Sequence, residues 1–223
     1  YVVDFVDRVM EHWLTEYKLD GFRFDFTKGF SNNYKSSSND EWGSNYDADR
    51  IANLKAIYDM MDNYDNESLM ICEHLAENAE EKELANYGML MWANMEPKYK
   101  EVAFGNTSSA ADLSGADYKS NNFTYPNLVP YMESHDEQRI AYELKEHVSF
   151  NLSERMDRIA MAASFLIPLK GPKMMWQFQE LGYDISIDKN GRTSQKPVEW
   201  DYFDNPDRRD LYEHFSLLIN AKR

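Results

Sequence analysis

The chain predicts an α/β fold with a parallel sheet, and three observations predict it. Segments with apolar residues three and four apart alternate with short apolar or two-residue-period runs, the respective marks of helices and strands. Five such runs end near Asp25, Glu73, Ala93, Asp136 and Phe178, with helical patterns between them; that order belongs to strands running the same way in one sheet. Three of the five close on a carboxylate, and strand ends of a parallel sheet converge on one edge.

Each element has its own warrant. Val2, Phe5, Val6, Val9, Met10, Trp13, Leu14 and Tyr17 form the apolar side of a first helix over 2–17. Gly21 breaks it, and Phe22, Phe24 and Phe26 then alternate with Arg23 and Asp25 as a strand. Residues 29–46 are rich in Asn, Ser and Gly, and a loop of that length in a compact domain usually serves function. A helix over 47–64 places Ile51, Leu54, Ile57, Tyr58 and Met61 inward. Leu69–Cys72 reads as a buried strand tipped by Glu73 and His74.

Residues 77–87 read as a helix capped by Gly88, and Met89–Ala93 as a strand. Residues 94–125 give little pattern beyond one short helix. Leu128–Ser134 is apolar enough for a strand despite Pro130 and leads into His135 and Asp136. A helix over 153–167 follows, with Met156, Ile159, Ala160, Ala163, Leu166 and Ile167 on one side. Gly171 and Pro172 turn the chain into a fifth strand, Lys173–Phe178, and the last helix falls near 207–222. No internal repeat or low-complexity tract interrupts this order.

Composition narrows the function classes. The 223 residues can bury a full core, and 43% hydrophobic and 14% aromatic content mark a globular chain. The net charge of −15, with no basic patch, argues against nucleic acid as a partner. No apolar run approaches the roughly 20 residues needed to cross a membrane, so no membrane partner is expected. The single Cys72 excludes an intramolecular disulfide. The chain opens at Tyr1 directly in a helical pattern, so it is expected to be processed or cut from something longer. Trp42, Trp92 and Trp176 could stack on sugar, but core packing is the better expectation for them.

Carboxylates at the ends of separate parallel strands can meet at one mouth, and paired carboxylates are what glycoside hydrolysis requires. One must be ionised, and Arg23 on the same face would keep Asp25 so. The other must carry a proton, a role that suits Glu73 at the end of an apolar run. Taken singly, Asp25 with Arg23 reads equally well as a structural ion pair. His74 reads as structural rather than catalytic, and the Asp, Glu and His spacing offers no compact zinc site.

These residues carry a family resemblance. Asp20-Gly21-Phe22-Arg23-Phe24-Asp25 resembles the second conserved region of the α-amylase family of glycoside hydrolases. Ile71-Cys72-Glu73-His74 is similar to its third region and Glu133-Ser134-His135-Asp136 to its fourth, in the family's order. The stretch from Gly171-Pro172 to Gln179-Glu180-Leu181-Gly182 resembles the family's last barrel strand. The resemblance implies a (β/α)8 TIM barrel, with only the C-terminal portion present, about strands 4 to 8, and with the N-terminal strands and the C-terminal β-domain absent. It therefore implies a partial catalytic barrel domain over 1–223.

The resemblance further implies a retaining enzyme of carbohydrate metabolism acting on α-1,4-glucosidic bonds of starch or glycogen. Asp25 would be the nucleophile, Glu73 the general acid/base and Asp136 the transition-state stabiliser. Arg23 would position Asp25, while Lys28 and His135 would bind the sugar. A branching enzyme or transglucosidase would use the same residues, and a non-catalytic sugar-binding piece is the alternative outside enzymology. Two positions depart from the family pattern, Gly29 where a His is frequent and Ser134 where an Asn is. No cofactor is expected in this chain; calcium would belong to an intact parent, since its main expected ligands lie outside these residues. The isolated piece is expected to be inactive or to self-associate through exposed barrel edges. A secreted, periplasmic or surface-held location is expected over a cytoplasmic one.

Overall fold

The structure, a computed structural model, describes residues 2–222. Helices and strands alternate along it, and the chain divides into two compact units. The first comprises Tyr1–Ala93 with Tyr118–Val129, the second Asn94–Asp117 with Pro130–Arg223. The strands β1 (Gly21–Phe24), β2 (Leu69–Cys72), β3 (Leu90–Asn94) and β4 (Leu128–Tyr131) hydrogen-bond in sequence order. β1, β2 and β3 pair in parallel, with Phe24 opposite Cys72 and Cys72 opposite Met91.

In the first unit, α1 (Val2–Thr15), α2 (Ala48–Tyr64) and α3 (Asn78–Tyr87) accompany the strands. Their core gathers Met10, Leu14, Leu54, Met61, Met70, Cys72, Leu84, Met89 and Met91. The Met-rich strands are thus core filler, as flexible thioethers commonly are. Asp47 starts α2 by accepting from the amides of Asp49 and Arg50, which satisfies two donors that a helix start leaves orphaned. Gly88 ends α3 at φ 136°, where an added Cβ would lie 2.3 Å from the Tyr58 hydroxyl.

The apolar stripe of α1 is wider than the surface that covers it. Met10 and Leu14 are buried and Val6 packs beside them, whereas Val2, Phe5, Val9, Trp13 and the following Tyr17 are exposed. The expected single inward face therefore holds for only one flank, the one turned to α2.

The second unit contains α4 (Glu96–Phe104), α5 (Ile140–His147), α6 (Leu152–Leu166) and α7 (Pro206–Lys222). Tyr99, Met132, Ile140, Leu144, Ile159, Leu166, Leu211 and Phe215 form its core. A capping box opens α6: Asn151 accepts from the Glu154 amide and Glu154 accepts from the Asn151 amide, worth roughly 1 kcal/mol.

Three expectations are corrected here. The first strand stops at Phe24, so Asp25 stands in the turn beyond it. Phe26 takes the left-handed conformation at φ 44° and is exposed, instead of joining Phe22 and Phe24 in the core. The fifth strand, Lys173–Phe178, contracts to one bridge between Met174 and Tyr131. Lys173 is occupied with the carbonyls of Leu169 and Gly171 and the Trp176 amide with the Gln179 side chain, so little of the segment's polar capacity goes into a ladder. Asp136 likewise follows β4 by several residues, in a turn.

Candidate active site

In the first unit the parallel register fixes the neighbourhood of two predicted carboxylates. Since Phe24 pairs with Cys72, Asp25 and Glu73 come next at the ends of adjacent strands. Arg23 Nη1 lies 2.5 Å from Asp25 Oδ1, and Nη2 lies 3.1 Å from Glu73 Oε2. The Phe26 amide also donates to Glu73 Oε2, at 2.9 Å. One guanidinium therefore spans both acids, while the buried Trp92 ring lies 5.1 Å from its carbon. The Asp25 side chain is 76% exposed and that of Glu73 only 18%. One carboxylate thus faces open space and the other sits in a wall.

Lys28 follows in the turn after Asp25. Its ammonium stands 5.7 Å from the Phe26 ring and 3.4 Å from Ser44 Oγ. Ser44 belongs to the long polar loop, which Asp47 organises. Burial would raise the Asp47 carboxyl, but hydrogen bonds from Ser31, Lys35, the Arg50 amide and Asn33 outweigh it and hold it far below the usual range. Trp42 in this loop is 67% exposed, contrary to the expected core packing, because the loop is held by polar side chains and not by an apolar face.

Behind these tips lies a buried polar cluster. Arg50 donates to both Glu80 oxygens, at 2.6 and 2.7 Å, and Glu80 Oε1 is 2.8 Å from His74 Nε2. His74 Nδ1 is 2.9 Å from Thr27 Oγ1. All four side chains are buried. His74 is structural, as expected from its sequence, but Thr27, Arg50 and Glu80 had no signal there. Cys72, the residue before Glu73, is fully buried, and burial with nearby Glu81 pushes its thiol up to about 12.

In the second unit, His135 and Asp136 come together, with His135 Nε2 3.2 Å from Asp136 Oδ2. Both are about half exposed, so His135 is not a core histidine. The Asp136 amide donates to Ser134 Oγ at 3.0 Å, and that hydroxyl donates to Glu137. Ser134, noted in the sequence only as a departure, thereby braces the turn that carries Asp136. The His135 and Trp176 rings are 5.7 Å apart. They line a cavity of about 170 Å³ with Arg139, Tyr183, Arg192 and Lys196.

Among the described residues no group of three or more His, Cys, Asp or Glu side chains is placed to hold a metal ion. No described helix is long and apolar enough to cross a membrane.

The first unit is thus an α/β domain whose parallel strands are tipped by a bridged pair of carboxylates. The family model for the α-amylase catalytic domain matches residues 1–211, and the chain belongs to that family. No curated protein matches it. Among solved structures it is similar to a pullulanase of Anoxybacillus sp. LM18-11 complexed with maltotriose, with TM-score 0.68 at 16% identity over 98% of this chain and 32% of that one. It is similar also to Eubacterium rectale Amy13B, with TM-score 0.67 at 14% identity over 100% and 47%. A variant of AmyP in complex with maltotriose gives TM-score 0.66 at 16% identity over 99% and 50%. The fold is thus that of the (β/α)8 barrel, and the chain spans a third to a half of the length of these structures.

Proposed function

We propose that the protein bearing this chain is a retaining glycoside hydrolase acting on α-1,4-glucosidic bonds of starch- or glycogen-type glucans. The observation that carries this reading is the single guanidinium of Arg23 touching both Asp25 and Glu73. A bridge of that kind keeps two carboxyl groups close, and retention needs them about 5–5.5 Å apart. The α-amylase family membership supports an α-glucan as the substrate class.

Asp25 attacks the anomeric carbon and forms a glycosyl-enzyme ester, while Glu73 gives its proton to the departing glycosidic oxygen. Oε2 of Glu73 is already ion-paired with Arg23 and accepts from the Phe26 amide, so the proton travels from Oε1. Glu73 then takes a proton from water, which opens the ester. Asp136 stabilises the positive charge that develops on the sugar ring, and His135 holds a sugar hydroxyl. Lys28 binds the sugar beyond the cleaved bond. A sugar hydroxyl in place of water would make the same residues a transglucosidase or branching enzyme, which product analysis for new α-1,6 branches identifies.

We further propose that these residues form the C-terminal portion of a longer catalytic barrel, secreted, periplasmic or surface-held, whose calcium, if present, is held elsewhere. The 223 residues alone are then inactive, and their exposed α1 residues favour self-association. Starch hydrolysis by a monodisperse monomer of this length would overturn that.

The test of the main reading is Asp25→Asn in the full-length protein, assayed for reducing ends released from starch. Activity should fall about a thousandfold or more. Equal rates in the two proteins would remove Asp25 from the chemistry.

A further inference from the structure

The turns that carry the two carboxylates are both strained, and they are strained in the same way. Phe26, next after Asp25, sits at φ 44°, and Leu75, two after Glu73, at φ 52°. Neither is Gly, Asn or Asp, so each left-handed residue is strained and persists only where its surroundings hold it. Beside each strained residue stands one member of the buried cluster: Thr27 follows Phe26, and His74 precedes Leu75.

The contacts run unbroken from the loop to the tips. Arg50 donates to the carbonyls of Gly43, Lys28 and Asn45 and to Glu80. Glu80 meets His74, and His74 meets Thr27. The Thr27 amide donates to the Glu73 carbonyl at 2.9 Å, and its hydroxyl lies 3.0 Å from the same oxygen. Burial would raise the Glu80 carboxyl, but its bonds with His74, Arg50 and the Asp47 amide keep it below the usual range. Burial lowers the His74 imidazole despite Glu80. An ionised Glu80 and a neutral imidazole put the ring proton on Nε2, so the Thr27 hydroxyl faces two acceptors, His74 Nδ1 and the Glu73 carbonyl.

We propose that Thr27 and His74 are positioning residues for the reaction, joining the turn after Asp25 to the turn after Glu73 and anchoring both on Glu80 and Arg50. The inference rests on the retaining mechanism for its catalytic consequence, but not for the coupling itself. Neither residue touches the proposed substrate. Each acts by holding the backbone beside an acid, and displacements of about 1 Å at such groups change rates by up to about a hundredfold.

The experiment compares Thr27→Val, which keeps the shape and removes the hydroxyl, with Thr27→Ser, which keeps the hydroxyl, in the full-length protein. On a maltooligosaccharide, Thr27→Val should lose about tenfold in kcat with KM within about twofold, and Thr27→Ser should stay within about threefold of wild type. Amide hydrogen exchange supplies a readout without turnover. The Phe26 and Thr27 amides, which both donate to Glu73, should exchange at least about tenfold faster in Thr27→Val, while amides of α2 keep their rates. Unchanged exchange at Phe26 and Thr27 overturns the coupling. A wild-type kcat in Thr27→Val overturns its catalytic role. An inactive wild-type protein with the predicted exchange pattern overturns the hydrolase reading and leaves the coupling standing.

Discussion

Replacing Gly21 with Ala tests whether the first rung of the sheet sets the site. Gly21 has φ 146°, and a Cβ there would lie 2.0 Å from the Leu69 carbonyl oxygen and 2.6 Å from its nitrogen. Ordinary contact begins near 3.4 Å, so β1 and β2 must part by about 1.4 Å against backbone that cannot swing aside. The left-handed φ adds roughly 1–2 kcal/mol for a residue with a Cβ. Weakening the bond from the Leu69 amide to the Asp20 carbonyl, 2.8 Å long, adds about 1 kcal/mol. Together with the lost close packing the loss should be about 3–4 kcal/mol, a large part of a total stability of roughly 5–15 kcal/mol. Urea unfolding of the full-length protein would show this as a midpoint lowered by about 1–2 M. Gly29→Ala is the control, because its Cβ would meet only the edge of the Phe26 ring, at 3.3 Å. A Gly21→Ala midpoint equal to that of the control would refute the steric argument.

Two other perturbations address buried charge in the first unit. Burial raises the Glu81 carboxyl from 4.5 to about 7, against hydrogen bonds from the Ala76 and Leu75 amides. A raised carboxyl favours the protonated fold: its stabilisation is full below pH 4.5 and is lost as pH rises through about 7. The loss amounts to roughly 3 kcal/mol at 1.36 kcal/mol per unit, and Glu81→Gln should flatten the stability profile over that window. A profile as steep as that of wild type would place the titration elsewhere. Arg50→Met should destabilise by about 3–5 kcal/mol, because it leaves the buried Glu80 carboxylate without its main partner. Adding Glu80→Gln should recover part of that loss in thermal unfolding, and no recovery would count against the pairing as its source.

The parts of the site legible in the sequence were those whose signal is local. Arg23 and Asp25 are two residues apart, and Glu73 ends a short apolar run, so strand geometry alone brought them under suspicion. The three motif matches then agreed with the family found by its model. The helices α1, α2, α3, α6 and α7 followed from apolar spacing, to within a few residues at their ends. α5 went unread, since its eight residues from Ile140 to His147 are half charged or polar and bury only Ile140, Ala141 and Leu144. The break after Phe24 was hidden because Phe26 continues the alternation while its backbone turns left-handed.

The buried cluster was hidden for a different reason. Arg50 lies on a helix where charge reads as solvent-facing, and Glu80 in a first turn where acids are ordinary. Their partners are 30 residues apart along the chain. Only the fold makes Arg50 fully buried among loop carbonyls, and no spacing rule anticipates that.

Cys72 gives the molecule a reporter of its own. It is the only cysteine, fully buried on β2 immediately before Glu73. A thiol reagent can reach it only while that strand is open, so the labelling rate gauges how often the wall holding Glu73 comes apart. Each 1.4 kcal/mol added to the closed form should slow labelling about tenfold. Occupancy of the site by a sugar that is never cleaved would then be read as a slower colour change at a sulfur atom one residue away.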